Sequence, residues 1–592
     1  TRAQPIAASL PQHMIEAGFD LDPRQLLLCE TEVYGLISGP SWLRQSLVCD
    51  LEQMGYVKNP YDKCVMTLPP KDDSAKFNDG VLLLEVDDIF EGGGTAHRAN
   101  MTKFYQKYKC GKNKRLLDMP EGSLISGIKV KQIKDKSFRW DMNHYADGMK
   151  PIEVPRGFMT NTKELNEEYM SKVLSCNGTI GWLGGSGRPD VAAGHSIIAG
   201  GYKNKSPQSI ADCNQCVKQA KDNKVELIVW SISPEDIRMV NFCDSSFDFK
   251  GERHQQGWIT GFTNKFLNQN RPAPVSICNW RSRKLPRKAG SPQLVETFAA
   301  SYGCADCNWV RVIFMSAMYA DYDILSTWPR HFPGWKRQPT VLRTDRQEII
   351  DPFMTLISDS KGLYDALNNE LPQDDKKSAV EMPIIEQLLE RMRGRSRWVP
   401  HNFNPSDGLT KLKGAHLAPL MALLKSGVYH LKTEEANLKD RADEKLESGH
   451  KKRFKQGKTN SVSTSSFVRT GMRNMMVVLS PETFRSVTTS IRAVQTQVEE
   501  VSLLHVSVDC KKVRVTERTS ICKFLSLFTA SILILMCLIS SLSVHGSTGS
   551  VGAEHQATTE FLAFCPGQDC ANMSDEYAYM RMAVDGRYAR QI

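Results

Sequence analysis

Along residues 1–235, apolar runs of strand length alternate with stretches of helical periodicity, and Gly- and Pro-bearing segments such as SGPS and SGRPD punctuate them. Residues 236–412 repeat the mixture. Strand-like IRMVNFCDSS, GWITGFTN and VSICNW are followed by a long helical stretch from Pro292. This alternation predicts an α/β fold. Residues 415–431 read as an amphipathic helix with Gly427 near its end, and 432–475 are polar, charged and Ser/Thr-rich, the pattern of a linker without a core. Uncharged residues 524–544 are enough to cross a bilayer core of about 30 Å as one helix. Lys511, Lys512, Arg514, Arg518 and Lys523 precede that run and the tail after it is net acidic, so the positive-inside rule places the large N-terminal part in the cytosol.

A chain of 592 residues exceeds what one hydrophobic core serves, and three or four units of roughly 150 residues are expected. Hydrophobic content of 41% and charged content of 24% exclude a fibrous or wholly disordered class. The formal charge of +10 suits a polyanionic partner without specifying one. The 16 cysteines are scattered, which favours reduced thiols. Cys213/Cys216 and Cys304/Cys307 are CxxC pairs in helical segments, without the turn-rich surroundings of a zinc knuckle. The N-terminus shows neither an n-region nor an apolar h-region and predicts no signal peptide. The chain reads as part of something longer.

In VLLLEVDDIFEGGG, Asp87 and Asp88 lie between two apolar strand halves. Such a hairpin lifts adjacent carboxylates to a sheet edge, where they can hold hard divalent cations for phosphoryl transfer. Upstream stand Val33-Tyr34-Gly35-Leu36, Gly39-Pro40-Ser41-Trp42, Gly55-Tyr56 and Tyr61-Asp62-Lys63-Cys64; downstream come SLISGIKVKQ (123–132) and GTIGWLGGSGRPD (178–190). This order resembles the reverse transcriptase of copia-type retrotransposons over about residues 20–235. Two departures stand out. Glu85 replaces the aromatic usual before VDD, and the chain begins after the strand that carries the family's third metal-binding Asp. Asp20 and Asp22 lie in a loop-like context and are no substitute. The resemblance therefore implies an incomplete polymerase, unless an upstream Pol polypeptide completes the palm.

Beyond residue 236 four acids fall at strand and helix ends. Asp244 closes the strand of MVNFCDSS, and Glu296 lies in the first turns of the helix PQLVETFAASYG. Asp359 ends MTLISDS, and Asp407 lies at a helix start in HNFNPSDGLTK. Each alone reads as an ordinary surface group or cap; a converging acidic cluster tolerates its own charge only with cations between its members. The flanks Cys243-Asp244-Ser245, Gln256-Gly257-Trp258-Ile259, Trp280-Arg281-Ser282-Arg283, Ser358-Asp359-Ser360 and Ser406-Asp407-Gly408-Leu409-Thr410-Lys411 resemble the RNase H domain that follows copia-type reverse transcriptase. A departure is Ser291-Pro292-Gln293-Leu294-Val295-Glu296 where the family reads S-T-x-x-A-E. The resemblance implies Asp244, Glu296, Asp359 and Asp407 as ligands of two Mg²⁺, with Mn²⁺ as a substitute. It also directs attention to His401 as a proton carrier in product release. The basic run Arg281, Arg283, Lys284, Arg287 and Lys288 is placed to meet phosphates.

The expected architecture is α/β: a palm remnant (1–150) and connection region (151–235), then an RNase H-like mixed sheet with flanking helices (236–431). A charged linker (432–522), a transmembrane helix (523–544) and a tail (545–592) follow. The expected activity is two-metal cleavage of RNA in RNA–DNA hybrids, with a DNA or RNA template-primer as partner of the palm. The competing expectation is a decayed or captured element serving as a membrane-tethered nucleic-acid-binding protein.

Overall fold

The computed structural model describes residues 6–9, 26–29, 39–85, 88–108, 110–247, 254–323, 328–332, 351–368, 375–412, 415–443 and 562–566. Contacts divide the chain into two units, 1–440 with 522–592, and 441–521. The elements below belong to the first.

Strands β1 (Ile6–Ser9) and β2 (Leu26–Cys29) pair antiparallel. Helix α1 (Gly39–Gln53) leads into an antiparallel meander of β3 (Val57–Lys58), β4 (Val65–Leu68), β5 (Gly80–Glu85) and β6 (Asp88–Gly93). The run Val81–Leu84 is apolar throughout because both faces of the sheet are covered. Leu82 and Leu84 pack with Leu47 and Leu51 of α1 and with Phe104 of α2 (Thr95–Lys107), whereas Val81 and Leu83 join the large central core. Beyond β6 lie Leu562–Pro566 and then β7 (Cys110–Arg115).

A second antiparallel sheet orders β11 (Leu227–Val229), β10 (Phe138–Asp141), β9 (Ile128–Gln132) and β8 (Ser123–Ile125). The stretch 123–132 is a hairpin of two strands. Ser126 and Gly127 both take positive φ (47° and 78°), the conformation of a tight two-residue turn.

Three helices, α3 (Glu167–Ser186), α4 (Pro189–Gly200) and α5 (Gln208–Asp222), fill 167–222. Glycines read in sequence as punctuation are contact points here. A Cβ at Gly184 would stand 3.1 Å from Ala192 Cα, and one at Gly194 would strike Cys216 Sγ at 2.2 Å. The SGRPD segment turns one helix into the next. Arg188 is fully buried and grips Asp190 through two 2.8 Å contacts, while donating to the Ala220 carbonyl at 2.8 Å.

The third sheet orders β15 (Ser276–Lys284), β13 (Gln255–Asn264), β12 (Ile237–Ser246), β16 (Met354–Ser358) and β17 (Gly394–Trp398). The first three are antiparallel; β16 and β17 run parallel to β12. Short strands β14 (Pro272–Pro274) and β18 (Val428–His430) pair beside it. The long helix α6 (Pro292–Met318) lies over β12 and β13, and its Gly303 meets Asn241, where a Cβ would fall 2.5 Å from Oδ1. Helices α7 (Lys361–Asn368) and α8 (Lys376–Arg391) follow β16. The fold is thus a mixture of sheets and helices, as the alternation implied.

Three expectations change. The amphipathic stretch 415–431 is split: α9 (Ala418–Ser426) ends where Gly427 turns left-handed (φ 61°), and β18 begins one residue later. Residues 434–440, expected within the linker, are helical, and buried Asn437 donates to the Trp398 carbonyl at 3.1 Å. The transmembrane helix and the single-pass placement with a cytosolic N-terminal part are withdrawn. No helix among the described residues is long and apolar enough to cross a membrane, and 524–544, which suggested one, lies outside them.

Candidate metal centre

Register brings the first two acids together. Cys243 of β12 pairs in parallel with Ser358 of β16, so Asp244, near the end of β12, and Asp359, just past β16, lie side by side toward the carboxyl ends of neighbouring strands. Open sheets with parallel strands form their crevices at this end. Asn404 ties the two strand ends: its amide donates to the Cys243 carbonyl at 3.0 Å and to Asp359 Oδ1 at 3.1 Å.

The third acid arrives on the 3-10 turn Pro405–Leu409, which Asn404 caps by accepting from the Ser406 N–H at 3.3 Å. Gly257, opposite Asp244 on β13, lets this turn lie against the sheet. A Cβ there would stand 2.6 Å from Leu409 Cβ. Asp244, Asp359 and Asp407 can each present an oxygen within 4.8 Å of the others, a group able to share a divalent ion.

Glu296, in the second turn of α6, completes the set electrostatically. Its Oε2 is out of solvent and has no hydrogen-bond partner. Burial, then the charge of Asp359, pushes its pKa up to about 8. Asp244 is driven well above the usual carboxylate range by burial and by Asp359 and Glu296, and Asp359 is raised by burial and Asp407. Carboxyls strained in this way, one with a partnerless oxygen, are the donor set that hard divalent cations stabilise.

Polar neighbours orient the acids. The Thr410 hydroxyl donates to Asp244 Oδ2, and His416 Nδ1 lies 2.8 Å from Asp407 Oδ2. Lys411 pairs with Asp407 Oδ1 and stands 3.8 Å from Asp244 Oδ2. Burial alone would lower its pKa, but Asp244 and Asp407 outweigh it and raise it. The imidazole on the cluster is therefore His416, whereas His401 stands exposed at the start of the turn His401–Phe403. Sequence reading missed Asn404 and His416. The Asn-Pro-Ser-Asp order is a capping signal for the former; nothing signals the latter.

The basic run divides. Arg283 stacks over Tyr302 and Trp258 at 4.2 and 5.1 Å, and burial lowers its pKa. Arg287 pairs with Glu381 at 2.6 Å and covers Phe298. Arg281 is half-buried, and Lys284 and Lys288 are exposed. In the N-terminal sheet Glu85 of β5 pairs with Asp88 of β6. Asp88 is half-buried and joins no three-ligand group among the described residues; Asp87 lies outside them.

No protein-family model matches the chain, and no curated protein matches it. A solved structure similar to it is the N-terminal RNase H domain of a Mycobacterium tuberculosis protein, determined as a fusion with maltose-binding protein. Identity is 12%, 31% of this chain and 96% of that chain are covered, and the TM-score is 0.19. An overlay this loose leaves the functional reading to the residues themselves.

Proposed function

We propose that residues 236–431 act as an RNase H-type endonuclease that cuts the RNA strand of an RNA–DNA hybrid, in a chain descended from a copia-type retroelement. The observation that carries this reading is the meeting of Asp244, Asp359 and Asp407 within 4.8 Å, with Glu296 buried in the field of Asp359 and Asp407. Two Mg²⁺, or Mn²⁺, held by these four acids would activate water and stabilise the leaving 3′ oxygen. The chain's own task is to hold the carboxylates. Asn404 fixes Asp359, Thr410 fixes Asp244, and His416 occupies one oxygen of Asp407. Exposed Lys284 and Lys288 supply phosphate contacts, and the 2′-hydroxyl distinguishes the strand to be cut.

The hairpin bearing Asp87 and Asp88 belongs, in this reading, to a reverse-transcriptase palm on a template-primer. Cleavage of a labelled hybrid with Mg²⁺ tests the nuclease. Wild-type chain is expected to cut the RNA strand, and Asp359→Asn to lower the rate by at least ~10²-fold while keeping its circular-dichroism spectrum. A wild-type chain that binds Mg²⁺ yet leaves the hybrid intact would sink the reading.

A further inference from the structure

The acidic cluster already contains a cation of its own. Lys411 contacts Asp407 Oδ1 and lies 3.8 Å from Asp244 Oδ2, on two of the three acids that can share a divalent ion. An ammonium in contact with Asp407 repels a dication placed on the same carboxylates, so Lys411 and the ion compete. The side chain has somewhere to go. Lys411 lines a cavity of about 130 Å³ whose wall, formed by α4 and α5, carries Asp190, Gln215 and Gln219. Its flexible stem can reorient where a planar guanidinium would not.

We propose that Lys411 is the resident counter-cation of the acidic cluster, surrendering Asp407 and Asp244 to an incoming divalent ion and withdrawing into the cavity beside α4 and α5. The inference rests on the cluster being a divalent-ion site, and needs no hybrid cleavage. Lys411 is a positioning residue here: it holds the carboxylates together until metal arrives, and it sets the metal concentration at which they are released.

The test uses the full chain and Mn²⁺, with free ion counted by electron paramagnetic resonance and stability followed by calorimetry. Lys411→Met removes the competitor, so its Kd for Mn²⁺ is expected to fall about tenfold. In EDTA the same variant melts below wild type, and saturating Mn²⁺ raises its Tm by more than it raises the wild type's. Unchanged or weaker Mn²⁺ binding by Lys411→Met overturns the proposal. Should that variant fail to fold, Gln215→Trp, at an exposed position on the cavity wall, reads the withdrawal separately. With the cavity filled, Mn²⁺ binding weakens several-fold; binding equal to wild type overturns the proposal. Loss of hybrid cutting with these metal responses intact would count against the nuclease reading alone.

Discussion

Asp244, Asp359 and Glu296 show how a cluster of acids is held by the fold at a cost to itself. Burial and the charges of neighbouring acids raise all three from their ordinary values, Glu296 from 4.5 to about 8. A raised acid binds its proton more tightly when folded than when unfolded. Its stabilising effect is therefore complete below pH 4.5 and is lost as pH climbs through the folded value. In EDTA, Tm is expected to fall between about pH 5 and pH 8. Excess Mg²⁺ should oppose that fall, because the ion replaces the protons and binds better as they leave. Calorimetry in both conditions measures the difference, and Glu296→Gln should flatten the upper part of the EDTA curve. An equally steep loss in that variant would remove Glu296 from the explanation.

Among the elements, the turn Pro405–Leu409 and helix α6 decide whether the acids meet. Gly257→Ala puts a methyl 2.6 Å from Leu409 Cβ and should lift the turn. Overpacking of this kind costs about 1–3 kcal/mol, and Mn²⁺ binding should weaken with it. Ser291 begins α6, accepting from the Leu294 N–H at 3.2 Å and donating to Asp375 at the start of α8. Ser291→Ala should cost about 1 kcal/mol in chemical denaturation and leave Mn²⁺ affinity almost unchanged. A large loss of affinity would mean that the cap positions Glu296 directly.

These elements also mark how far the sequence could be read. Asp244 and Asp359 were legible because each follows an apolar strand, and Asp407 because Asn-Pro-Ser-Asp announces a turn. Gly257 was visible as a residue, though its role as a floor for Leu409 depends on a contact across 152 positions of chain. His416 was not legible, since no periodicity connects it with Asp407. Helices α3 to α5 were obscured by their glycines, which suit close helix contact as well as they suit turns. The hairpin in 123–132 is marked only by the Ser126-Gly127 dipeptide, which sits within an otherwise strand-like alternation.

At the scale of the whole molecule, charge must be sorted by what it already touches. The net +10 is spread over 592 residues and says little by itself. Of the five basic groups before α6, Arg283 is committed to two aromatic faces and Arg287 to Glu381, which leaves Lys284 and Lys288 as the exposed lysines of the run. An ammonium that meets a phosphate releases condensed counterions, and the slope of log Kd against log salt records each such contact at roughly 0.7–0.9. Replacing both Lys284 and Lys288 by Gln should therefore reduce that slope for a hybrid by about 1.4–1.8, with little change in Tm. Arg287→Gln should do the reverse. It frees Glu381, uncovers Phe298 and lowers Tm slightly, while the slope stays near the wild-type value. Fluorescence anisotropy on a labelled hybrid across a salt series separates the two effects. If the arginine variant lost the slope and the lysine pair kept it, the phosphate-binding face would lie on the α8 side of this loop rather than at its exposed lysines.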